Sequence, residues 1–134
     1  MDLNLGFLNQ EEEKILGKSR ALAKALESSD LAPISMLYES HARMWGASSD
    51  KLLVGQEEIK SYYHYFITEK KDFKLYFEQQ DIRIFGEIAI NTGTYSFSWE
   101  NGKKRARKEA RFTLVYRKIG RDWIIVEHHS SSRP

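Results

Sequence analysis

Apolar positions recur every three or four residues through the first half of the chain, then alternate with polar ones from about Lys71 onward. Ile15, Leu22 and Leu26 make one helical stripe, with Ser19 and Ala23 filling it. Asn9, followed three residues on by Glu12, reads as a capping signal, so the pattern predicts a helix over 10–28. Asp30 caps a second short helix through LAPISMLY, with Pro33 tolerated in its first turn. ARMWGA and LLVG follow as short strands. Gly55 then opens a third helix, QEEIKSYYHYFITEK, whose apolar side is Ile59, Tyr62, Tyr63 and Phe66.

After the switch of period, FKLYFEQQDIRIFG, EIAINTGTYSFSWE, RKEARFTLVYRK and DWIIVEHHS read as long strands rich in β-branched and aromatic residues. Asn101-Gly102 is a hairpin signal, and KIGRD supplies the next turn. Helices followed by a meander predict an α+β fold, with three helices packed on a curved antiparallel sheet in a single domain over 1–134.

Counting across a two-residue Asn101-Gly102 turn sets Trp99 opposite Lys104, Tyr95 opposite Lys108, Thr92 opposite Arg111 and Ile90 opposite Thr113. A four-residue second turn sets Arg111 opposite His128 and Thr113 opposite Val126. Alternation then gives one face Ile90, Thr92, Arg111, Thr113, Val126, His128 and Ser130. The other carries Tyr95, Phe97, Phe112, Tyr116, Trp123 and His129. Both faces are substantially apolar, yet three helices cover only one, so a homodimer through the other is expected. A buried Arg111 needs a carboxylate, Glu109 or Glu127, or a bound anion.

Totals narrow the field. The 134 residues suffice for a real core, and a net charge of +2 gives no bulk attraction to nucleic acid or membrane. Cysteine is absent, which removes disulfides and thiol chemistry. The acidic start MDLNLGFLNQEEEK does not look like a signal peptide, and no long apolar run spans a membrane, so a cytoplasmic location is expected.

The closing stretch ARFTLVYRKIGRDWIIVEHHSSSRP resembles the last strands of the calcium/calmodulin-dependent protein kinase II association domain. That domain belongs to the nuclear transport factor 2-like superfamily, with the SnoaL-like cyclases and ketosteroid isomerases. The resemblance rests on Arg111-Phe112-Thr113, Val115-Tyr116, Trp123 after a glycine-containing turn, and His128-His129-Ser130 with Pro134. LYESHARMWG and VGQEEIKSYYHYF agree more loosely. It implies a cystatin-like cone with a pocket between helix and sheet and dimers through the sheet, and leaves assembly into higher rings open. In the kinase hub, arginines of that pocket bind carboxylates, and Arg111 with the His128–Ser130 segment matches that role best here.

The candidate pocket set is therefore Arg111, Thr113, His128, His129, Ser130, Thr92, Tyr63 and Trp45, with a small organic anion as ligand. An enzyme of the SnoaL or isomerase kind is the alternative, with His128 as general base and Arg111 holding an oxyanion. A purely structural assembly domain is the third reading. Neighbouring strand residues point apart, so His128 and His129 do not share a metal, and neither a metal nor another cofactor is expected. The basic run KKRARK flanks a hairpin tip and lacks interleaved aromatics, which argues against nucleic acid.

Overall fold

The computed structural model describes residues 3–134, with side chains from Gln10 onward. Helix α1 spans Leu3–Ser28, α2 Ile34–Leu37 and α3 Gln56–Ile67. Strands β1 (Tyr38–Trp45) and β2 (Leu53–Val54) flank the loop before α3. The long strands β3 (Lys71–Phe85), β4 (Ile88–Asn101), β5 (Lys104–Ile119) and β6 (Asp122–Ser132) follow. The sheet order is β2-β1-β6-β5-β4-β3. All neighbours are antiparallel except β1 and β6, which run parallel, so the expected all-antiparallel sheet is corrected at that one pair.

Two local expectations also change. Helix α1 runs through Asn9 back to Leu3, since no proline or glycine pair interrupts it there. The expected cap at Asn9 involves a side chain outside those described. Tyr38, expected at the end of the second helix, instead starts β1 and is fully buried.

The inner face of the long strands carries Phe73, Leu75, Tyr95, Phe97, Phe112 and Tyr116 and packs on Leu22 and Leu26 of α1 and Tyr63 of α3. Polar ties fix α1 across this face. Ser19 donates to Gln80 at 2.6 Å, and Lys18 meets Asp122 at 2.8 Å. The buried carboxylate of Glu11 receives Lys118 and, at 3.0 Å, Lys14. These two ammonium groups hold Glu11 below the ordinary carboxylate range, outweighing the desolvation that pushes it up.

The register departs from the sequence count twice. Between β4 and β5 the ladder closes at Asn101↔Lys104, so Gly102 and Lys103 form the turn, with Gly102 at φ 66. Trp99 then faces Ala106, Tyr95 faces Ala110 and Thr92 faces Thr113. This is a two-residue offset, and both faces survive it. Between β5 and β6 the turn is Gly120-Arg121, and the pairs run Ile119↔Asp122 to Tyr116↔Ile125. The next pair is Val115↔Glu127. Val126 is the extra residue of a β-bulge, and every β6 residue beyond it changes face. His128 and Ser130 therefore share the inner face with Tyr95 and Phe112, and His129 the outer face with Arg111, whereas the sequence count grouped His128 with Arg111 and His129 with Tyr95.

A second bulge, between Phe77 and Gln79 of β3, brings the Gln79 carbonyl beneath β4. A Cβ at Gly93 would lie 1.9 Å from that oxygen. Gly93→Ala is therefore expected to lower stability by about 2 kcal/mol or more, because backbone rather than a flexible side chain must give way. Urea unfolding of the variant checks this, and an unchanged midpoint would contradict it.

Candidate functional site

The sequence-derived candidates fall into separate places. Tyr63, His128 and Ser130 line an internal cavity between the helices and the inner face. Thr92, Arg111, Thr113 and His129 line a depression of about 340 Å³ on the outer face. Trp45, paired with His129 across the β1–β6 ladder, is 42% exposed and borders neither space.

The expected meeting of Arg111 and His128 in one cleft is thus corrected by the bulge at Val126. Arg111 stands on the solvent side of the sheet, where its Nη2 donates to the Ser132 carbonyl at 3.4 Å. Neither suggested carboxylate neutralises it. Glu109 is bound by Arg107 at 2.6 Å and by Arg133, which hold it below the usual carboxylate range, and Glu127 faces Val115 elsewhere on the outer face.

Inside, His128 is the centre of a buried hydrogen-bonded chain. Its Nδ1 lies 2.8 Å from the Tyr38 hydroxyl, which lies 2.6 Å from that of Tyr63. Its Nε2 lies 3.1 Å from the Tyr95 hydroxyl, which donates to Ser130 Oγ at 2.6 Å. The polarity of the chain follows from that last bond. Tyr95 has spent its proton on Ser130, so it accepts from His128, and Nε2 carries the ring hydrogen. Nδ1 then accepts from Tyr38, and Tyr38 accepts from Tyr63. The proton of Ser130 is the one donor left over in this relay.

Charge is excluded from the relay by burial. His128 is only 2% exposed, and desolvation, helped by the neighbouring His129, drives its pKa down to about 3. Desolvation likewise raises Tyr38, Tyr63 and Tyr95 above the ordinary phenol value. All are neutral at physiological pH.

Two consequences for chemistry follow. The ring of His128 has no lone pair free for a substrate, because the nitrogen able to accept is taken by Tyr38. It orients hydroxyl groups, and the general-base role expected of it has no geometric support here. The cavity itself measures about 20 Å³, room for one water and too little for an organic ligand. No Lys or Arg borders it, so this cavity does not supply the anion pocket expected between helix and sheet. Phe66 and Phe97, with centroids 5.0 Å apart, wall the cavity off from a cleft of about 300 Å³ beside Lys108 and Arg133.

Sequence reasoning missed Tyr38 and Tyr95 as partners of His128. Tyr95 was visible as an inner-face aromatic, but only the bulge brings His128 to it. Tyr38 carries no local signal of its own, since its position depends on the parallel pairing of β1 with β6.

With this geometry in hand, the fold matches the cystatin-like class. An association domain assigned to calcium/calmodulin-dependent protein kinase II, from Xanthomonas campestris, superposes with a TM-score of 0.78 at 25% identity, over 90% of this chain and 86% of that one. A nuclear transport factor 2-like protein with a cystatin-like fold from Novosphingobium aromaticivorans gives 0.84 at 14% identity, over 98% and 90%. The kinase II hub homology domain of Chlamydomonas reinhardtii gives 0.79 at 16%, over 92% and 98%. Comparison with curated proteins finds no significant match. The SnoaL-like domain model matches residues 19–134, so the chain belongs to the SnoaL-like domain family. Among the described residues no helix is long and apolar enough to cross a membrane.

The neutral ring makes stability depend on acid. The imidazole titrates near 6.5 in the unfolded chain and near 3 in the fold, so the unfolded state binds the proton first. Stability is complete above pH 6.5 and falls as pH drops toward 3, by up to about 1.4 kcal/mol per pH unit. Urea unfolding between pH 7 and 4.5 is expected to show this slope in the native protein and a shallower one in His128→Gln. Equal slopes would contradict it. In ¹⁵N spectra the His128 ring signals are expected to stay constant from pH 8 to 5, with Nδ1 unprotonated.

Proposed function

We propose that the chain is a self-associating module of the association-domain type, whose outer sheet face meets a second copy. One observation carries the reading. The outer face bears Ile90, Val115 and Ile124 half-buried and Phe85, Ile88 and Ile119 exposed, while all three helices lie on the inner face. So many β-branched and aromatic side chains on a face that no helix covers favour a partner there, even though Arg83, Arg117 and Glu127 are interspersed among them. Two further points support assembly over small-molecule chemistry. The interior is filled, with a cavity the size of one water and a histidine engaged at both nitrogens. The similar structures include an association domain and a hub homology domain.

Sedimentation velocity at micromolar concentration tests the reading. The protein is expected to migrate as two chains of 15.7 kDa. Val115→Lys places a charge at the middle of the face without entering the core, and it is expected to weaken association by about 30-fold or more while leaving the circular dichroism unchanged. A native protein that sediments as a single chain would remove the reading.

A further inference from the structure

The outer face carries two opposite charges that have no ion-pair partner among the described residues. Arg111 on β5 and Asp81 on β3 line the same depression, with Thr92 and Thr94 of the intervening strand β4 between them. The Arg111 guanidinium donates instead to the Ser132 carbonyl, at 3.4 Å. The rest of the lining holds no other Asp, Glu, Lys or Arg, so covering it with a plain hydrophobic partner would strand a buried guanidinium and a buried carboxylate.

A second copy of the same face answers both charges at once. Asp81 pairs with Thr92 on β4, and Arg111 pairs with Thr94 on the same strand. The midpoint between the two charges therefore falls on β4 at Gly93, flanked by those two threonines. A two-fold axis lying between the sheets, passing over Gly93 and perpendicular to the line joining the two charges, is inclined by roughly 35° to β4, because the charges lie two strands apart across the sheet and two residues apart along it; it exchanges the β3 side of one copy with the β5 side of the other. It brings each Arg111 over the second copy's Asp81, because an isologous contact of one residue with another is always made twice.

We propose that Arg111 and Asp81 form a reciprocal pair of salt bridges across this two-fold axis and set the register of the dimer. The inference rests on the self-association reading and adds the residues that specify the partner. It also gives the outer-face arginine a role in recognition of a second copy. Complementary charge at the centre of an interface fixes register and rejects misaligned encounters.

Charge exchange tests it. Arg111→Asp and Asp81→Arg are each expected to raise the dissociation constant at least about tenfold, since each homodimer then sets like charges face to face twice. Mixing the two variants restores both bridges, so a mixed dimer is expected to form more tightly than either homodimer and to dominate in native mass spectrometry. The double variant, with the charges swapped within one chain, is expected to associate about as well as the native protein. Both positions are exposed, and circular dichroism checks that each variant is folded. A native protein that is monomeric overturns the pairing together with the assembly reading. A native dimer whose association is unchanged by Arg111→Asp, or variants that show no preference for each other, overturns the pairing and leaves the assembly reading standing.

Discussion

The extra residue at Val126 constrains everything that follows it in β6. Before the bulge Trp123 and Ile125 face the helices, and after it His128 and Ser130 do. Without it, strict alternation would send His128 out to solvent and turn the exposed His129 into the core. The bulge survives because its product is well satisfied. His128 lands between two phenol hydroxyls at 2.8 and 3.1 Å, where a neutral imidazole meets one donor and one acceptor. A buried polar group in that state costs little, whereas the same ring left unpaired in the core would cost several times as much.

That single shift gives the two faces different work. The inner face gathers rings and hydroxyls into a closed chain from Tyr63 to Ser130, and its tight cavity leaves little space for anything but the protein itself. The relay ties α3, β1, β4 and β6 together, because its members come from all four elements. The outer face keeps β-branched side chains, threonine hydroxyls and a small number of charges. On the proposed reading, that open outer surface is where a second copy docks.

Much of the fold could be read from the chain. The change from helical to alternating spacing near Lys71 marks where helices give way to the meander, and Gly55 marks the start of α3. The closing segment around Arg111-Phe112-Thr113 pointed toward relatives that include the SnoaL-like family. The site was less legible, for a specific physical reason. In Trp123-Ile124-Ile125-Val126 every residue is apolar, so the run is compatible with either face and gives no sign of where an extra residue sits. The error in the β4–β5 turn did no harm because it was an even number of residues. The one at Val126 was odd, and it separated Arg111 from His128. The parallel seat of β1 beside β6 is a non-local pairing that no short pattern announces, and Tyr38 was hidden with it.

The facing of β6 can be measured directly by chemical modification of histidine. Diethyl pyrocarbonate acylates an accessible imidazole nitrogen, and the products are located by peptide mass spectrometry. In the folded protein His129, His41 and His64 are exposed, and His128 is buried with both nitrogens engaged. The account predicts modification of those three residues and protection of His128 until the protein is unfolded. Modification of His128 in the native state, at a rate like that of His129, would contradict it.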